Sequence, residues 1–298
     1  MESIDVSVII TTRNEEKHIK NCLESIIKQT YPQDKIEIIV VDNNSEDSTK
    51  DLAKAYTDKV YNFGSKRAAQ LNFGVRLAKG AYILFPDADM ILSEDILSEC
   101  VKKCELEGLD ALYIPERIVG KGFWIKARDF ERSFYNASCI DCVRFVRRER
   151  FLELDGFDEN LDFGPDDWDF DRRVRETGRM GTIEAPIYHN EGGFSFRKYL
   201  NKKTYYITSF NKYIQKWGCD DPVIKKQFGL LYRYFRVYLE NGKWKRLLIH
   251  PVLTLGLYFL RFMVGLQYIS ATRSKNISST LKYDEVQGRN PAAFHGKA

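Results

Sequence analysis

Two phosphate-binding signatures are missing from this chain of 298 residues: it contains no G-x-G-x-x-G and no G-x-x-x-x-G-K-[ST]. A bound nucleotide would therefore not have its phosphates held by a glycine cradle. There is no internal repeat and no low-complexity segment. The N-terminus, MESIDVSVII, is acidic and enters a strand at once, with no basic, apolar leader, so a reducing cytoplasmic setting is expected. Six cysteines in a chain of this length do not make a secreted disulfide scaffold. Cys139-x-x-Cys142 and the pair Cys100 and Cys104, one turn apart on a predicted helix, read as core thiols rather than zinc ligands. A long uninterrupted apolar run is also lacking. Leu247–Ile269 comes closest, but His250, Pro251 and Arg261 break it, and Leu247–Leu260 is too short to cross a bilayer.

What is present begins with Ala81–Met90, AYILFPDADM. Tyr82–Phe85 is a short apolar run of strand formers, and Pro86 ends it because proline cannot donate to a sheet ladder. Asp87 and Asp89 follow, separated by Ala88. Two carboxylates one residue apart at the open end of a buried strand suit a hard divalent cation such as Mg²⁺ or Mn²⁺. Alone, so short a motif would more often be a solvated turn.

The surrounding pattern alternates strand and helix. Asp5–Thr11, Lys35–Val41, Lys59–Phe63 and Leu109–Pro115 read as strands. Glu15–Lys28, Asp47–Ala55, Ser65–Ala78 and Ser93–Glu107 read as helices. That alternation predicts an α/β fold with a mostly parallel sheet and helices on both faces. Asp42, Asp87 and Asp89 then fall at strand ends, where ligands of such sheets bind. Further on, Lys121–Asn136 reads as an aromatic-rich helix, Cys142–Val146 and Gly181–Ala185 as strands, and Tyr188–Gly193 as a loop. Acidic residues favour helix starts, so Asp169 and Asp171 are expected to be solvated.

Charge divides the chain. Residues 1–195 carry a net −10 and residues 196–246 a net +10, within an overall +4. The expected organisation is an acidic catalytic domain over 1–195 and a basic, aromatic-rich helical region over 196–298. Within the latter, 244–270 would associate with an anionic membrane surface as a helix pair in the headgroup region. Trp244, Tyr258 and Tyr268 suit such an interface, and Arg273 and Lys275 flank it. The basic, aromatic stretch Phe196–Arg246 carries no nucleic-acid motif, so no nucleic-acid partner is expected.

Seven stretches occur together in order: VSVIITTRNEE at 6–16, VVDNNSEDST at 40–49, SKRAAQLNFG at 65–74, FPDADM at 85–90, RFVRRERFLELDGFDENL at 144–161, GPDDWDFDRR at 164–173 and YHNEGG at 188–193. In order and spacing they resemble the family 2 glycosyltransferases. The resemblance implies a GT-A fold, Rossmann-like with a mixed, mostly parallel sheet, followed here by a C-terminal helical extension. It implies that Thr12, Arg13, Glu15 and Asp42 hold the nucleoside of a UDP- or GDP-sugar and that Arg67 approaches the nucleotide. Asp87 and Asp89 would hold Mn²⁺ or Mg²⁺ against its diphosphate, joined by His189. Asp166 and Asp167 match the family's acidic pair, with Asp166 in place of Glu and Asp167 as the base. One base and no covalent nucleophile imply a single displacement with inversion. The Q-x-x-R-W of processive synthases is absent.

The acceptor expected from these readings is a lipid-linked glycan at the cytoplasmic face of the membrane. A polyprenyl- or dolichyl-phosphate sugar synthase is the alternative. A haloacid-dehalogenase phosphatase is remote: that class puts its D-x-D near the N-terminus, and here two strand–helix units precede it.

Overall fold

A computed structural model describes residues 3–161, 164–267 and 269 of the chain; Tyr268, Arg273 and Lys275 lie outside them. Among the described residues there are ten strands: β1 (Val6–Thr12), β2 (Ile36–Asp42), β3 (Val60–Asn62), β4 (Tyr82–Leu84), β5 (Met90–Leu92), β6 (Ala111–Tyr113), β7 (Glu116–Lys121), β8 (Phe145–Arg147), β9 (Met180–Thr182) and β10 (Ile187–Gly193). Seven form one sheet in the order β3-β2-β1-β4-β8-β6-β9, and the other three form a small sheet in the order β5-β10-β7. Within the large sheet only β8 runs antiparallel to its neighbours, β4 and β6. The α/β architecture expected from the alternating pattern is present.

The centre of the large sheet is buried on both faces. Val8 and Ile10 of β1 point into one apolar cluster and Ile9 into the other. This explains why β1 and β2 read as continuous apolar runs rather than alternating ones. The helix Arg67–Leu77 lies close on β1 because of Gly74. A Cβ there would stand 2.5 Å from Ile9 Cγ2. The register then aligns the polar ends: Thr12 pairs with Asp42, and Thr11 bridges to Asp87. The C-terminal ends of β1, β2 and β4 thus share one edge.

Two expectations are corrected. Tyr188–Gly193 is not a loop but most of β10, and β7 was not anticipated. Both strands carry polar residues, Glu116, His189 and Glu191, turned towards one another or a charged helix rather than into an apolar core. An apolar-periodicity reading therefore passes over them. The second correction concerns Asp169 and Asp171, which are buried. Asp169 accepts from Arg173 at 2.9 Å and from Trp217 Nε1 at 2.9 Å. Asp171 accepts from the Tyr113 hydroxyl at 2.6 Å.

After residue 195 the chain is helical, with Phe196–Trp217, Pro222–Phe228, a π turn at Tyr232–Arg236 and Trp244–Ile249. It is helical again over 251–267, after a break at His250, with Pro251 as the first residue of the new helix. Phe130 and Phe134 share an apolar cluster with Tyr232, Val237, Tyr238 and Leu257. Residues on both sides of position 196 therefore contribute to one core. No described helix is long and apolar enough to cross a membrane.

Candidate active site

The shared edge of β1, β2 and β4 gathers most of the residues singled out from the sequence. Asn14, just past β1, adopts a positive φ of 56°, a conformation asparagine tolerates better than most residues. Its backbone N–H donates to Ser45 Oγ at 2.8 Å, and its side-chain carbonyl accepts from Glu46 N at 2.9 Å. The two loops at the strand ends are thereby joined. Asp42 is fully buried, and its carboxylate accepts from Thr12 Oγ1 at 2.8 Å and from Ser45 N at 2.7 Å. Asp42 and Thr12 thus hold the crevice wall, while Arg13 is exposed beside them. Gln70, buried under this edge, donates to the carbonyls of Val41 and Thr12.

Asp87 and Asp89 stand at the crevice, partly open to solvent. Arg67 reaches Asp87 Oδ1 through Nε at 3.1 Å, and its Nη1 lies 2.9 Å from Asp167 Oδ1 and 3.4 Å from Asp166 Oδ2. One guanidinium thus joins the D-x-D to the acidic pair that starts the helix Pro165–Thr177. Burial and the neighbouring Asp167 push the Asp166 carboxyl well above the usual range, against the pull of Arg67. The Glu15 carboxyl is pushed up to about 7 by burial, then by Asp89, Asp87 and Asp47. The crevice therefore holds a surplus of closely spaced carboxylates, a setting that favours a cation.

Asp89 has a second neighbour. His189 Nε2 lies 2.9 Å from Asp89 Oδ2, and His189 Nδ1 lies 3.2 Å from Glu116 Oε1. Burial would lower the imidazole, but the hydrogen bonds to Asp89 and Glu116 outweigh it and hold it up at about 10. Glu116, on β7, also meets Arg132 Nη2 at 3.1 Å and Arg144 Nη2 at 3.3 Å. Arg144 Nη1 in turn lies 3.5 Å from Asp87 Oδ2. A ring of charges, Asp89–His189–Glu116–Arg144–Asp87, results, closed only through the backbone at Ala88. Sequence reasoning found three of its members and missed Glu116 and Arg144. Neither carries a local signal, because a Glu after Ile-Pro and an Arg just before a short apolar strand match no spacing rule.

Asp87 and Asp89 offer oxygen donors and His189 a nitrogen, a set suited to Mn²⁺ or Mg²⁺. Among the described residues no three such side chains already converge on one point, since Asp89 leans on His189 and Asp87 on two arginines. A groove of about 410 Å³ lies elsewhere, lined by Arg117, Lys126, Arg246 and His250 among others, and includes none of these residues.

A family model described as glycosyl transferase family 2 matches residues 7–155, half of the chain. The chain belongs to glycosyl transferase family 2. Glycosyltransferase AglE of Haloferax volcanii is 35% identical over 114 residues, 35% of this chain and 37% of that protein. Poly(ribitol-phosphate) beta-N-acetylglucosaminyltransferase TarS of Staphylococcus aureus is 30% identical over 128 residues, 39% of this chain and 22% of that protein. The matched stretches thus span well under two thirds of these relatives' own lengths. The structure of mannosyltransferase PcManGT from Pyrobaculum calidifontis, in complex with GDP-Man and Mn²⁺, is similar with a TM-score of 0.60 at 22% identity, covering 93% of this chain and 88% of that one. Residues 1–349 of S. aureus TarS, in complex with UDP-GlcNAc, give a TM-score of 0.56 at 16% identity, with 92% of each chain covered. This family 2 chain has the GT-A fold.

Proposed function

We propose that this chain is a metal-dependent, inverting glycosyltransferase that moves a sugar from a nucleoside diphosphate to an acceptor presented at the cytoplasmic face of a membrane. The observation that carries the reading is the single guanidinium of Arg67 spanning Asp87 and Asp167, so that the carboxylate proposed for the metal and the proposed base share one partner. Asp87 and Asp89, with His189, would hold the metal, and a divalent ion bound there would neutralise charge on the departing diphosphate. Asp167 would take the proton of the incoming hydroxyl. Asp166, buried and linked to the Gly164 N–H at 2.7 Å, fixes the start of the helix that carries Asp167. Thr12, Asp42 and Gln70 keep the strand ends in register, so the nucleoside side of the crevice is preformed; fixed orientation of the reacting groups lowers the barrier. The two similar structures are complexes with GDP-Man and Mn²⁺ and with UDP-GlcNAc, and this supports a nucleotide-sugar donor.

The acceptor reading rests on the C-terminal helices. On the helix over 251–267, Leu257, Leu260 and Arg261 face inward, and Gly256 lies against Phe123 and Ala127. The outward side carries Val252, Leu255, Phe259, Phe262 and Leu266, each at least 44% exposed. An apolar stripe this long, flanked by the basic segment, favours a membrane surface and hence a lipid-linked glycan or glycan-phosphate acceptor. Relatives named for poly(ribitol-phosphate) are consistent with an acceptor of that kind.

The test is a thermal-shift panel of UDP- and GDP-sugars with Mn²⁺ or Mg²⁺. A ligand that binds only the folded state raises the melting temperature, and one nucleotide sugar should do so only with metal present. No shift with any nucleotide would overturn the reading.

A further inference from the structure

Outside the crevice chemistry, the densest charged cluster surrounds Glu131. This residue is only 1% exposed and sits near the end of the helix Phe123–Arg132. Arg261 Nε lies 2.7 Å from its Oε1, Arg128 Nη1 lies 3.4 Å from its Oε2, and the Tyr135 hydroxyl donates to it at 2.6 Å. Burial would push the Glu131 carboxyl up, but Arg261, Arg128, Lys203 and Arg233 outweigh it and hold it down. Four cations therefore act on one carboxylate. Among the described residues a second acid, Glu191, pairs with Arg128 at 2.9 Å. The cluster keeps a positive excess in a largely dry place, and such charge is costly unless an anion joins it.

Two groups are left waiting. The Arg233 side chain makes no hydrogen bond and no ion pair among the described residues; its guanidinium lies 5.7 Å from the Trp168 ring centroid. It is carried on the π turn Tyr232–Arg236, a geometry frequent at functional sites. Tyr199 is 8% exposed, and its buried hydroxyl makes no hydrogen bond of normal geometry while lying close to Arg128. The buried Nε of Arg128 has none either. Arg128 Cζ lies 4.8 Å and Lys203 Nζ 5.5 Å from the Tyr199 ring centroid, so hydroxyl and cations share one patch.

The patch borders the crevice on two sides. Trp168, beneath Arg233, follows Asp167 in the chain. Glu191, the partner of Arg128, is two residues beyond His189 on β10. We propose that Arg128, Lys203, Arg233 and Arg261, with the Tyr199 hydroxyl, form an anion site on the acceptor side of the crevice that takes a phosphate group of the acceptor. Guanidinium forks and a phenol O–H match phosphate oxygens, which accept several hydrogen bonds at once. The proposal rests on the transferase reading above and adds the acceptor's chemistry. The phosphate belongs either to a prenyl lipid or to a polyol phosphodiester.

The full chain tests this by calorimetric titration with inorganic phosphate, first alone and then with UDP or GDP and Mg²⁺ at saturation. Short-chain prenyl phosphate and a glycerol-phosphate oligomer follow as separate arms. Phosphate should bind once per chain beside the nucleotide. Arg233→Gln and Tyr199→Phe should each weaken it about tenfold, as expected when one charge-assisted or buried hydrogen bond is lost, and should leave nucleotide affinity unchanged. Whichever arm binds more tightly identifies the source of the phosphate. Phosphate that fails to bind, or binds wild type and both variants equally, overturns the site. A wild-type chain that binds phosphate but no nucleotide would instead overturn the transferase reading and leave the anion site standing.

Discussion

Arg67 Nη1 lies 2.9 Å from Asp167 Oδ1, so the proposed base is held by the same side chain that grips Asp87. Asp167→Asn keeps the size and hydrogen-bonding reach of the residue but cannot take a proton. Transfer should fall about a hundredfold while donor binding persists. Stopped-assay kinetics with a titration of the nucleotide sugar separate the two effects. Lost donor binding would give Asp167 a structural role, and a small effect would favour an acceptor that is already ionised, such as a lipid phosphate.

The charge ring makes a prediction about metal. Asp89→Asn should abolish metal-dependent donor binding. Glu116→Gln removes the carboxylate that orients His189 and should weaken Mn²⁺ about ten- to a hundredfold, the usual effect of losing a partner that orients a ligand. Manganese electron paramagnetic resonance on the full chain reads this without any turnover. His189→Ala serves as a second variant should Glu116→Gln unfold. Unchanged Mn²⁺ affinity in both Glu116→Gln and His189→Ala would remove His189 from the metal site.

Asp171 gives a pH dependence remote from the crevice. Burial pushes its carboxyl up to about 7, against Arg175 and the Tyr113 hydroxyl. The folded chain then keeps a proton that the unfolded chain releases near pH 4. Its contribution to stability is full below about pH 4 and is lost as pH rises through about 7. Asp171→Asn, which cannot ionise, should therefore gain stability relative to wild type across that window and hold a constant gap above it. Melting temperatures at a series of pH values decide the matter; a gap independent of pH means that Asp171 is ionised when folded.

The exposed stripe predicts lipid binding. Full-length chain should float with phosphatidylglycerol liposomes at low salt, and the double variant Leu255→Ser with Phe262→Ser should float much less. Both positions are exposed, at 72% and 58%, so the core should tolerate the change. Wild-type chain that stays at the bottom of the gradient at low and high salt would exclude membrane attachment.

The sequence by itself determined the parts of this protein that follow from local chemistry. Apolar runs of strand formers gave β1, β2 and β4, and Pro86 ended the strand before Asp87 and Asp89. The motif order placed Arg67, Asp166 and Asp167 in one site, and the structure brings them within hydrogen-bonding distance. Only the tertiary structure decided what those residues touch. Glu116 on β7 and Arg144 just before β8, from two different sheets, meet His189 and Asp87, and no spacing rule encodes such a meeting. The polar strand β10 stayed hidden because its side chains serve a charged ring instead of an apolar core. The excess of cations around Glu131 likewise exists only where the helix Phe123–Arg132 packs against helices from beyond residue 195, since charge balance in a buried place depends on neighbours in space.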